Sequence, residues 1–68
     1  MILQIETEQE IDGRWIAEVL GLPGVMASGA TVETAIAIAQ AFALRVLGDR
    51  LEHGEAGSEL MQISFQAA

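Results

Sequence analysis

The residues of this chain that could take part in acid–base or nucleophilic chemistry are few and stand apart from one another. His53 is the single histidine, and there is no cysteine. The serines, Ser28, Ser58 and Ser64, lack the G-x-S-x-G context of a serine nucleophile. His53 lies at the expected end of a helix, where capping or solvation explains it better than a role as base or metal ligand. We therefore predict no enzymatic activity, no catalytic residue and no cofactor.

Carboxylates are plentiful, but their spacing indicates a solvated surface. Glu6, Glu8 and Glu10 alternate along a predicted strand and would share one face, where like charges usually contact water. A hard cation needs oxygen ligands that converge from several elements, and no such pattern is visible. The glycines within residues 21–29 are separated by proline and apolar residues, which is typical of turns rather than of a phosphate-binding loop. We predict no metal site.

The charge balance favours a protein partner over nucleic acid. Ten acidic residues against three basic ones give a formal net charge of −7 at pH 7. Phosphate contacts need clustered basic side chains, whereas Arg14, Arg45 and Arg50 are scattered along the chain. An acidic chain suits a basic protein surface. We expect no direct nucleic-acid contact.

The length of 68 residues predicts a single domain, residues 1–68, near the lower limit for an independent core. A hydrophobic content of 51% excludes a disordered acidic tail. The N-terminus has no basic region, and the longest apolar stretch, Ala35–Ala43, is too short to span a bilayer. We expect a cytoplasmic protein without a membrane partner.

Alternating apolar and polar residues predict three strands in the first half of the chain. Met1, Leu3 and Ile5 would lie on one face of a strand within residues 1–10. Asp12-Gly13 is a hairpin signal, because both residues tolerate the positive φ of tight turns. The second strand is predicted over Arg14–Leu20, with Trp15 as a core anchor. After the turn Gly21–Gly24, a third strand is predicted over Val25–Ser28.

A helix follows, with Thr31 as its N-cap, Glu33 near the positive end of its dipole and Gly54 as its stop. Helical spacing predicts one apolar stripe facing the core: Val32, Ala35, Ile36, Ala39, Phe42, Ala43, Val46 and Leu47. Leu60–Phe65 is predicted as the fourth strand, with Met61, Ile63 and Phe65 on one face. The fold class is therefore α+β with the order βββαβ: an antiparallel three-stranded meander, one right-handed crossover helix and a parallel fourth strand.

Apolar residues remain that one helix and one sheet face cannot cover. Ile38, Ala41 and Leu44 lie off the core stripe of the helix, and Ile16 and Met26 lie on the second face of the sheet. We predict that these five residues form an interface, either with another copy of the chain, as a dimer or larger assembly, or with a different protein. The alternative is that alanines are good helix formers and that single exposed aliphatic residues are normal.

Three segments together resemble the HicB-type antitoxin family. They are Asp12–Val19 (DGRWIAEV), Leu22–Val25 (LPGV) and Gly29–Ala35 (GATVETA). Family members commonly read D-G-x-[WY]-x-A-E, then L-P-G-[CV], then G-x-T-x-x-E-A at the start of a helix. The resemblance covers roughly residues 1–65. One departure is Thr34, where many members have a glutamate; it affects helix capping rather than an interface.

The resemblance implies a HicB-like, partial ribonuclease-H-like fold. It also implies a function: neutralising a basic HicA-type toxin that cleaves mRNA, by covering the toxin's RNA-binding surface and catalytic histidine. The protein itself would not be a nuclease. Typical members continue into a helix-turn-helix or ribbon-helix-helix domain, which these 68 residues do not contain, so operator binding is not expected. The alternative function is a HicB-like module without a toxin that binds a small ligand or serves as a structural oligomer.

Overall fold

Four strands form one mixed sheet, and a single long helix packs on one of its faces. The computed structural model describes residues 1–68. The elements are β1 (Ile2–Gln9), β2 (Trp15–Val19), β3 (Met26–Gly29), α1 (Val32–Glu52), a short 3-10 helix (Ser58–Met61) and β4 (Ser64–Ala67). The predicted α+β class and βββαβ order are confirmed. No part of α1 is both long and apolar enough to cross a membrane.

The spatial order of the strands is β3-β2-β1-β4. β1 and β3 both pair antiparallel with β2, as a meander requires, and β4 pairs parallel with β1 after the crossover through α1. The β1–β2 hairpin closes where it was predicted: Asp12 Oδ1 accepts a hydrogen bond from the Arg14 main-chain N–H at 3.0 Å, and Gly13 has a φ of 93°. The local turn chemistry therefore sets the register of the first two strands.

The core lies between α1 and the sheet face that contacts it. The apolar faces predicted for the first two strands point inward. On α1, alanines at four-residue spacing let the helix lie close to the strands. Eleven buried residues form this core: Leu3, Ile5, Ala17, Val19, Leu22, Val25, Ala35, Ala39, Ala43, Leu47 and Leu60. Trp15 packs against it as a partly buried residue, in agreement with its predicted role as an anchor. Leu22 was predicted only as part of a turn, but the turn folds its side chain into the core.

Both ends of α1 are capped as predicted. Thr31 Oγ1 accepts a hydrogen bond from the Thr34 main-chain N–H at 3.1 Å, which satisfies one of the unpaired donors of the first turn. At the other end His53 is the C-cap residue, and its main-chain N–H donates to Asp49 O at 3.1 Å. Gly54 then adopts a φ of 67°, which ends the helix.

The predicted strand over Leu60–Phe65 is wrong in its first four residues. Ser58–Met61 form the 3-10 helix instead, which buries Leu60 and leaves Met61 86% exposed. The amino group of Met1 donates hydrogen bonds to the main-chain oxygens of Glu59 (3.1 Å) and Gln62 (2.6 Å) and so holds this turn beside the start of β1. The apolar residues alternate from Leu60 onward, but the first part of this segment forms a 3-10 helix rather than a strand. The alternation alone therefore placed the start of the strand too early.

The Glu59 carboxylate reinforces this turn. Its Oε1 accepts a hydrogen bond from the Gly57 main-chain N–H at 3.2 Å. Hydrogen bonds from main-chain N–H groups of Glu59 and Gly57 hold the pKa of the Glu59 carboxyl below its ordinary value of 4.5, because they favour the charged form. The ionised form of the Glu59 carboxyl therefore accepts the main-chain hydrogen bonds that stabilise this turn.

Candidate protein-binding surface

The sheet face opposite α1 is not covered by any other element. We call it the open sheet face. It consists of the side chains that alternate away from the helix on all four strands: Ile2, Gln4, Glu6, Glu8, Ile16, Glu18, Met26, Ser28, Ser64 and Gln66. The face carries large exposed apolar side chains, Ile2 and Met26, among its carboxylates. Exposed apolar surface is a feature of protein-binding sites.

Carboxylates lie next to one another at the centre of this face. Glu6 is directly opposite Glu18 in the β1–β2 register, and Glu8 is opposite Ile16. Like charges at directly opposed positions destabilise a sheet unless a cation lies between them. Glu10 was predicted on the same strand face but lies beyond the end of β1, in the hairpin. No group of three or more potential ligands is placed to hold a metal ion.

A shallow apolar groove of about 460 Å³ runs along β3, the edge strand of the sheet. We call it the edge groove. Side chains from both faces of the sheet and from α1 line it: Ile16, Met26, Ala27, Ser28, Ile38 and Phe42. The Arg45 guanidinium lies 5.7 Å from the centre of the Phe42 ring, within the range of a cation–π contact. The groove therefore presents apolar surface with one adjacent positive charge.

A second concavity, of about 550 Å³, lies beside the β1–β2 hairpin and shares Ile16 and Ser28 with the edge groove. Its lining is more polar and includes Glu10 and Asp12. Across it, Arg14 Nη2 donates a hydrogen bond to Ser28 Oγ at 2.7 Å. Arg14 is thereby held against β3, at the border of the open sheet face.

The structure brings together three of the five residues predicted as an interface. Ile16, Met26 and Ile38 line the edge groove. Ala41 is exposed one turn along α1 from Ile38. Leu44 is 49% exposed but follows Ile38 by six positions, which places it about 120° around the helix and away from the groove.

Phe42 is the residue that the sequence reasoning missed. It was assigned to the core stripe, but its side chain is 38% exposed and lines the edge groove. The core is centred on the alanines at positions 35, 39 and 43, so that Phe42 lies at the border of the stripe. Its spacing of four residues from Ile38 places both side chains on the same flank of α1 and could have identified it.

His53 has the capping environment that was predicted. Its Nδ1 atom lies 2.8 Å from the main-chain oxygen of Asp49 and 3.4 Å from Asp49 Oδ1, and both side chains are exposed.

Comparison of the chain with models of protein families, with curated proteins and with solved structures finds no match. The function therefore has to be inferred from the surfaces of the molecule and from its sequence.

Proposed function

We propose that this protein is a binding module that masks a small basic protein, as HicB-type antitoxins mask HicA-type mRNA-cleaving toxins. The observation that carries the proposal is the uncovered pair of opposed carboxylates, Glu6 and Glu18, with Glu8 beside them. Of the three arginines, only Arg14 borders this face, since Arg45 and Arg50 lie on α1. A partner that supplies cations to the open sheet face would remove the repulsion between the two glutamates.

The proposed mechanism is steric. A surface that binds RNA is positively charged, and the open sheet face would compete for it with carboxylates in place of phosphates. The glutamates would speed and orient the encounter, while Ile2, Ile16 and Met26 would supply apolar contact area around them. The βββαβ order supports the proposal, because it is the order that the resemblance to HicB-type antitoxins implies. The finer HicB-like, partial ribonuclease-H-like assignment is part of this proposal.

Co-expression with a small basic protein encoded beside this chain tests the proposal. We expect the two proteins to co-purify and the chain to suppress RNA cleavage by its neighbour. The double variant Glu6→Lys, Glu18→Lys should weaken binding by about 100-fold, or about 2.8 kcal/mol, because two favourable charge contacts become repulsive.

The matched control is Glu33→Lys, Glu55→Lys. It changes the net charge by the same amount, but the two residues lie on α1 and in the loop that follows it. Binding of the control variant should stay within a few-fold of the wild type. A neighbour that cleaves RNA equally well with and without this protein would contradict the proposal, as would equal losses in the two double variants.

A further inference from the structure

β3 is an edge strand whose outer main-chain groups have no partner strand. The Val19 main-chain N–H donates to Val25 O at 2.9 Å. The direction of the main-chain groups alternates along an antiparallel strand. The N–H and C=O groups of Ala27 therefore point toward β2, like the C=O of Val25, and those of Met26 and Ser28 point away from the sheet. β3 is only four residues long, but it contains no charged residue and no proline, two of the usual protections of an edge strand. The strand is therefore open to pairing with another strand.

Apolar side chains flank this edge on both sides of the sheet. Ile16 and Met26 lie on the open sheet face, and Ile38 and Phe42 project from α1 beside Ala27. Met26 is 47% exposed. A strand added to β3 would thus be bordered by apolar surface above and below, and its own side chains would cover that surface.

We propose that two copies of this chain pair antiparallel through β3 and join their four-stranded sheets into one eight-stranded sheet. The two-fold axis would pass beside Ala27. In this register Met26 of each copy exchanges main-chain hydrogen bonds with Ser28 of the other, so every outward-facing group of these two residues finds a partner. The interface is isologous, as two-fold symmetry requires. This inference does not rest on the proposed function, which uses the carboxylates of the open sheet face, although Ile16 and Met26 belong to both surfaces.

The position of α1 explains why a second copy fits this edge better than an isolated peptide. α1 packs over β2 and β3 and contacts β1 much less. With strands about 4.8 Å apart, the axis of α1 lies about 5 Å from the two-fold axis, so the two helices lie about 10 Å apart. That is the separation at which helices pack directly. Ile38 and Phe42 would meet their counterparts across the seam, where the small side chain of Ala41 allows close approach.

The area available is sufficient for a specific dimer. α1 has 21 residues and is therefore about 31 Å long. The transverse extents of the molecule, 19 and 16 Å, limit the width of the strip that crosses the strand edge and the helix flank. A strip of that length and width covers about 500–600 Å² per copy, or about 1,000–1,200 Å² in total, at the lower limit for specific interfaces. The other edge strand, β4, lies on the far side of β1 from α1, so pairing there would bring no helices together.

A cysteine cross-link tests the register directly, because the chain has no cysteine of its own. In the proposed dimer the two Ala27 residues form a pair without main-chain hydrogen bonds, with Cα atoms about 4.5 Å apart, within the range of a disulfide. Ala27→Cys should therefore become a covalent dimer under mild oxidation. Gln66→Cys, on the opposite edge strand, is the control and should not become a covalent dimer, although it should still pair non-covalently through β3. Equal cross-linking of both variants, or of Gln66→Cys alone, would overturn the proposal.

Sedimentation equilibrium at micromolar to millimolar concentration provides a second test. The wild type should approach twice the chain mass of 7.2 kDa. Phe42→Lys should raise the dissociation constant by about 30-fold or more. Leu44 is also exposed but lies on another side of α1, so Leu44→Lys should leave the dissociation constant unchanged. Circular dichroism checks that both variants are folded; should Phe42→Lys unfold, the cross-link decides. A wild type that remains at 7.2 kDa throughout, or equal dissociation of the two variants, refutes the dimer.

Discussion

At the scale of single residues, Gly29 determines how closely β3 can approach the start of α1. A Cβ atom at this position would lie 2.8 Å from the main-chain nitrogen of Ala35 and 3.1 Å from the side chain of Thr34. Main-chain atoms cannot rotate away as the end of a flexible side chain can, so a larger residue must shift the helix relative to the strand. The requirement for glycine here is one of space, since the φ of Gly29 is not positive.

Gly29→Ala should lower the free energy of unfolding by about 1–3 kcal/mol, the usual effect of forcing an extra methyl group into a packed site. Gly48→Ala is the control: a Cβ there has nothing within 4 Å, and the position lies inside α1. That substitution should stabilise the protein by about 1 kcal/mol, because alanine is a better helix former than glycine. Urea denaturation of both variants measures the difference. A Gly29→Ala protein as stable as the wild type would show that the helix start can move freely.

At the scale of elements, the ends of α1 are held by local hydrogen bonds, and its middle by alanines against the sheet. Thr31 is the one side chain that caps the N-terminus of the helix. Thr34 occupies the position where a capping-box glutamate would reach back; instead its hydroxyl accepts a hydrogen bond from Thr31 Oγ1 at 2.9 Å. The start of α1 therefore depends strongly on one hydroxyl group.

Removal of this hydroxyl by Thr31→Ala should destabilise the protein by about 1 kcal/mol, since a main-chain N–H of the first turn loses its acceptor. In a domain of this size that corresponds to a fall in Tm of about 4–8 °C. Thr31→Ser keeps the acceptor and should stay close to the wild type. Thermal denaturation followed by circular dichroism compares the three proteins. An equal loss in Thr31→Ser would mean that the methyl group, not the hydroxyl, stabilises the helix start.

At the scale of the whole molecule, a net charge of −7 acts in opposite directions on the two proposed associations. Two copies of the chain repel one another, and salt screens that repulsion. A basic partner is attracted, and salt screens that attraction instead. The apolar contacts at the edge groove change little over the same range of salt.

Raising the NaCl concentration from low to physiological strength should therefore tighten the homodimer and weaken the complex with a basic partner. Sedimentation of the chain alone and titration calorimetry of the complex measure the two trends. The Glu6→Lys, Glu18→Lys variant serves as a control, since it should lose most of the salt dependence of the complex. Parallel trends for the two associations would show that the charge of the chain does not distinguish them.

The sequence by itself determined the elements that depend on neighbouring residues. The alternation of Leu3 and Ile5, the Asp12-Gly13 turn and the Thr31 cap each act within a few positions, so the order βββαβ and the inward faces of β1 and β2 followed from local patterns. The number of helices in the sequence also predicted the open sheet face. With one helix in the chain, the second face of the sheet had to remain uncovered.

Only the tertiary structure decided which exposed residues lie together and where the last strand begins. Ile38 and Leu44 look equivalent in the sequence, but the position of α1 over β2 and β3 places only Ile38, with Phe42, at the edge groove. The 3-10 helix at Ser58–Met61 is hydrogen-bonded to the amino group of Met1, which is 58 residues from Glu59 in the sequence. Contacts between such distant positions leave no periodic pattern in the chain, because each forms only after the sheet has brought the two segments together.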